Sequence, residues 1–177
     1  MFDPDRQDHE LVERRVLLKT QIIMASLVGG CVFFLAVVLS IRLRGGAAPA
    51  GPGPLLAYVA VGFAVMALVA RAVVPTVLVR AGLRRLAARQ TEASDPAGAV
   101  AALWRLFSTR TIVCGAILEG AAFFALVAYL VEGAAIALAV ALLLIAALAL
   151  HFPTRSGTAR WIQRQRESLE QERQFRA

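Results

Sequence analysis

Almost everything from which a soluble catalytic site is built is scarce in this 177-residue chain, which holds two cysteines and two histidines. No cluster with metal-ligand spacing, no Ser/His/Asp set and no cofactor motif can be traced. Gly45 and Gly46 with Gly51 and Gly53 form a Gly/Pro linker, not a phosphate cradle. No catalytic, cofactor-binding or metal-ligating residue is therefore assigned, and the expectation is a protein that is not an enzyme. Cys31 and Cys114 lie inside apolar blocks. Counted from the nearest basic ends at 1.5 Å per residue, their depths differ by about 12 Å, too far for a disulfide. Both read as small packing residues. His9 stands in a charged segment with no second ligand beside it and reads as solvated, and His151 reads as an interfacial residue.

Charge is missing from four long stretches. Hydrophobic residues make up 59% of the chain, above the roughly 45–50% typical of soluble domains, and the excess is concentrated in residues 20–41, 55–79, 111–131 and 134–152. Each is about the length that crosses a bilayer. The first is too long for the apolar region of a cleaved signal peptide. The fold class expected is all-α: an integral membrane four-helix bundle made of two transmembrane hairpins, 20–79 and 111–152. Residues 1–19 are expected as a helix running into the first span, with Asp3 or Asp5 as its cap. Residues 80–110 are a polar loop. In it Pro96 after Ser94-Asp95 marks a helix start, and Val100, Leu103, Trp104 and Phe107 form an amphipathic entry to the third span. Residues 153–177 form a polar tail helix capped by Ser156 or Thr158.

The net charge of +7 does not mark a nucleic-acid binder, since no zinc spacing or aromatic–basic reader motif is present. Lys and Arg number four in 1–19, six in 80–110 and six in 154–177, against two in 42–54 and none in the second hairpin turn. That asymmetry places both termini and the long loop on the cytoplasmic side of the membrane. Trp104 and Trp161 are expected as interface anchors.

Small residues mark expected helix contacts: Gly29 and Gly30 in the first span, Gly115 and Gly120 in the third. A step of 90 residues aligns Ile22, Gly30, Phe33, Phe34 and Val37 with Ile112, Gly120, Phe123, Phe124 and Val127. Both hairpins close on Pro-Thr, at Pro75-Thr76 and Pro153-Thr154. This pattern fits a tandem, parallel repeat of the hairpin. Glu119 aligns with Gly29, so the carboxylate belongs to one half only.

Two charges lie inside spans, Arg71 and Glu119. Each is nine residues from a boundary arginine, Arg80 or Arg110, which puts both about 13 Å deep. Intramembrane charges usually pair, so the expectation is an Arg71–Glu119 bridge pinning the second span to the third. The alternative makes Glu119 an ion site.

Residues 117–127, ILEGAAFFALV, resemble the carboxylate helix of the rotor-ring proteolipid (subunit c) of rotary ATP synthases. That resemblance implies a proton or cation carrier. Departures from it are the absence of a glycine-repeat helix, the presence of Arg71, a longer loop and two extra spans. As a whole the chain is similar to uncharacterised four-span bacterial membrane proteins, through Leu118-Glu119-Gly120 and Phe152-Pro153. That likeness implies the architecture and a bacterial inner membrane, and brings no activity.

The expected function is a non-enzymatic accessory or assembly subunit of a membrane complex. The alternative is a small proton- or ion-coupled transporter using Glu119. The partners implied are the lipid bilayer and either further copies of the chain or another membrane protein, with no nucleic acid and no cofactor.

Overall fold

The computed structural model describes residues 4–45, 53–90, 96–154, 157, 158, 160 and 163, with side chains except at 4–13, 83–90 and 96–101. It is all-α. Four helices follow in order: α1 (Pro4–Leu43), α2 (Leu55–Gln90), α3 (Pro96–Glu132) and α4 (Ala135–Leu150). The first three contain segments long and apolar enough to cross a membrane, Arg14–Leu43, Leu55–Gly82 and Ala102–Glu132.

Local chemistry accounts for where the helices start and stop. Proline is favoured in the first helical turn, and both α1 and α3 begin on one, Pro4 and Pro96. Pro96 is the start expected from the sequence; Asp3, Ser94 and Asp95 lie outside the described residues. Gly45 (φ +73°) follows the end of α1 and Gly133 (φ +71°) the end of α3. This left-handed conformation suits glycine and ends a helix by turning a backbone N–H back to a free carbonyl. The Gly133 amide does so, donating to Tyr129 O at 2.8 Å.

Two expectations are corrected. The fourth span, expected over 134–152, is a helix of 16 residues, about 24 Å at 1.5 Å per residue. Ala134 before it is extended (φ −69°, ψ 119°). At its far end the His151 and Phe152 amides bond three residues back, to Leu148 O and Ala149 O, a tightened last turn before Pro153. Thr158 does not cap the tail, since its hydroxyl donates to Thr154 O, and the Gly157 amide donates to Thr154 Oγ1 at 3.3 Å; Ser156 lies outside the described residues. The remainder of the tail, Trp161 included, lies outside the described residues. α2 passes Pro75 as one helix.

The chain divides into two compact units. The first comprises Met1–Ile22, Pro75–Ile112 and Pro153–Ala177. In it Trp104 is 4% exposed and packs on Leu17 and Val16, with Phe107 edge-on at 6.4 Å between ring centroids. The face expected of the amphipathic segment is thus the buried one. Trp104 is not an interface anchor, because the start of α1 covers it. Polar groups in this unit are paired: Thr20 Oγ1 bonds Val16 O at 2.8 Å and Ser108 Oγ at 2.9 Å, and Gln21 Nε2 donates to Pro153 O at 3.1 Å.

The second unit comprises Ile23–Val74 and Val113–Phe152, and all four helices contribute to its core. α2 supplies a stripe of small side chains, Ala57, Ala60, Ala64 and Ala67, at the i, i+3, i+4 spacing of one helical face. α3 supplies Leu118, Ala121, Ala122, Ala125 and Leu126, and α4 Ala137, Ala141, Leu144 and Leu148. Alanine brings helix axes close at little side-chain entropy cost, the packing that works where lipid gives no hydrophobic drive between helices.

Candidate functional site

All the candidate charges fall in the second unit. Contacts of α1 with α3 fix their register. A Cβ on Gly30 would stand 3.6 Å from Glu119 Oε1 and 3.9 Å from Phe123 Cζ. The rings of Phe34 and Phe123 lie 5.1 Å apart. One on Gly115 would meet Met24 Sδ at 2.8 Å and Leu27 Cδ1 at 3.0 Å. Residues facing one another are thus 88 to 93 apart in number, so the parallel packing of α1 on α3 follows closely the same 90-residue step as the sequence repeat.

Gly30 and Gly115 therefore sit at the helix contact expected of them, and Gly115 at its closest point. Gly29 and Gly120 do not. Both are exposed, with nothing within 4 Å of a Cβ. The reason is azimuth: one residue along a helix is about 100° around it, so two neighbouring glycines cannot share a contact face.

The Arg71–Glu119 bridge is absent: no ion pair joins them among the described residues. Phe63 and Phe124 face each other, with ring centroids 5.5 Å apart. Eight residues on from Phe63 along antiparallel helices brings Arg71 level with Ala116, within one turn of Glu119. The two charges are nearly level along their helices, and direction separates them. Arg71 continues the inward stripe of Ala57, Ala60, Ala64 and Ala67, and its Nη2 stands 3.1 Å from Nδ1 of His151 at the end of α4. Arginine has only donors, so Nδ1 accepts. Glu119 shares a face with Phe123, four residues on, and lies along Gly30 of α1.

The Glu119 carboxylate is half-buried and has no hydrogen bond or ion pair among the described residues. On one side of it α1 exposes Ser26 and Gly29, and α3 exposes Ala116 and Gly120. Cys31 is fully buried. Both cysteines are buried and neither forms a disulfide.

A second carboxylate, at the end of α3, is the better bonded. Glu132, last in α3, accepts from Leu56 N at 2.6 Å and Ala57 N at 2.8 Å, one amide on each oxygen. Near it Arg42, in the last turn of α1, donates Nε and Nη2 to Tyr129 O at 3.3 and 2.9 Å. Its guanidinium carbon lies 5.4 Å from the Tyr129 ring centroid, within cation–π range. The available signal was the 90-residue step itself, which carries Arg42 onto Glu132.

No group of three or more metal-ligating side chains occurs among the described residues. Comparison with protein-family models, curated proteins and solved structures finds no match.

Proposed function

We propose that this is a small four-span protein of a bacterial inner membrane, with both termini cytoplasmic. It serves as a non-enzymatic accessory or assembly subunit that receives another membrane protein along α1, beside Glu119. The observation carrying this reading is the unbonded carboxylate next to an unused packing surface. Glu119 finds no cation within the described chain, and an intramembrane carboxylate without one is costly. Beside it Gly29 and Gly120, residues of the type that lets helices approach, have nothing within 4 Å of a Cβ.

Photocrosslinkers placed singly at Ala25 and Gly29, and at Leu142 on the exposed face of α4, test it in native membranes. Ala25 and Gly29 are expected to give discrete adducts that weaken at least threefold in Glu119→Ala, with Leu142 giving none. Equal labelling from both faces would overturn the reading.

A second reading, the carrier implied by the rotor-helix resemblance, gains from the same observation, because Arg71 does not neutralise Glu119. The surroundings favour a proton over a metal cation. Glu119 faces the Gly30 backbone and the Phe123 ring, and α1 is unbroken there, so its carbonyls are bonded within the helix. No oxygen cage of the kind alkali or divalent cations need is available among the described residues. Carbodiimide labelling of Glu119, together with proton flux into liposomes that is lost in Glu119→Gln, would favour carrier over subunit.

A further inference from the structure

A helix leaves its first N–H groups and last carbonyls without internal partners. α2 brings no cap of its own: Gly53 and Pro54 precede it, and its first turn has no acidic residue. The amides of Leu56 and Ala57 are instead bonded by Glu132, 76 and 75 residues along the chain. At the end of α3, the Tyr129 carbonyl, already accepting from the Gly133 amide, is bonded a second time by Arg42, 87 residues back. Each hairpin thus completes a helix end of the other. A carboxylate from the second hairpin caps the start of α2, and a guanidinium from the first caps the end of α3. The signs are those the helix dipole favours, negative at an N-terminus and positive at a C-terminus.

Arg42 and Glu132 occupy equivalent places under the 90-residue step, each closing the first helix of its hairpin. We infer that these equivalent positions carry opposite charges so that the first hairpin pairs with the second and not with another copy of itself. Two copies of the first hairpin would offer two guanidiniums and leave the α2 amides without a carboxylate. Two copies of the second would offer two carboxylates and leave the Tyr129 carbonyl without its cation. Only the mixed pair satisfies both ends. Gly133 belongs to the device: any side chain there would run into the Arg42 guanidinium.

This pairing code is independent of the accessory-subunit reading, since it concerns the opposite ends of the helices from the Arg71–His151 contact and does not involve Glu119. Full-length protein in lipid nanodiscs, together with co-capture of two differently tagged full-length copies, tests it. In Glu132→Gln, amide exchange at Leu56 and Ala57 should accelerate at least tenfold, while Leu126 in the core stays within twofold. Co-capture of tagged copies should rise several-fold as the uncapped α2 takes Glu132 from a wild-type copy. The double variant Arg42→Glu with Glu132→Arg should raise co-capture further, since it sets a cation on the α2 start. If the double variant does not accumulate, the isosteric Glu132→Gln carries the test alone. Unchanged exchange at Leu56 and Ala57, or faster exchange with unchanged co-capture, would overturn the inference.

Discussion

Two glutamates on one helix, thirteen residues apart, behave as opposites. Glu119 lies in the most apolar part of α3, and its carboxylate has no bond among the described residues. Glu132 ends the same helix and places each of its oxygens on a backbone amide. The difference lies in what a helix offers along its length. In mid-helix every backbone group is already bonded, so a carboxylate there depends on another side chain having the right azimuth. At a helix start, orphaned amides meet it whatever the neighbouring side chains are. A charge in the middle of a span is thus conspicuous and hard to satisfy, whereas one at a hairpin turn is inconspicuous and easily satisfied.

The largest effect that would break this comparison is expected from the seat of Glu119. Gly115→Leu must displace Met24 and Leu27, and overpacking of this kind should cost about 3 kcal/mol, read as a lowered denaturation midpoint in detergent. Tolerance of leucine would mean that α1 does not hold α3 closely enough to fix the Glu119 position. Next comes Glu132→Ala, expected to cost about 2 kcal/mol by leaving two amides unbonded, with Glu132→Gln recovering part of it. A neutral outcome in the same melt would remove the contrast between the two glutamates. Arg71→Ala should lose about 1 kcal/mol with its hydrogen bond to His151, and combined with His151→Ala it should be less than additive. Smallest is Glu119→Gln, expected within about 0.5 kcal/mol of wild type. Combined with Arg71→Ala it should be additive to within about 0.5 kcal/mol. A double-mutant coupling above about 1 kcal/mol would restore the ion pair.

Much of the fold was legible because the signals are one-dimensional. Apolar length, the proline at 96 and the glycine at 133 act on the chain locally, and the helices start and stop near them. Depth was legible too, since a residue count converts directly into axial rise, and Arg71 and Glu119 do lie within a turn of each other. Azimuth was not. Whether Arg71 turns toward α3 or α4 depends on how the helices are arranged around the core, and 100° per residue makes that sensitive to single steps. Gly29 and Gly30 divide on the same ground, one open and the other against Glu119. Trp104 shows a third kind of gap: its buried face was correctly read, but what buries it is the start of α1, distant in sequence. Thr20 and Ser108 meet in the same way. Glu132 could have been found by carrying the repeat to its ends, where the 90-residue step sets an acid against a base.

The cap on α2 also has a place in time. Leu56 and Ala57 leave the ribosome about 75 residues ahead of the carboxylate that will bond them. At roughly 5–20 residues per second of synthesis, the first hairpin waits about 4–15 s with its second helix open at the start. During that interval its amides must be held by water or by the insertion machinery. The arrival of Glu132 ends the wait, so slowed translation between residues 57 and 132 should lengthen the period in which the nascent first hairpin is sensitive to protease.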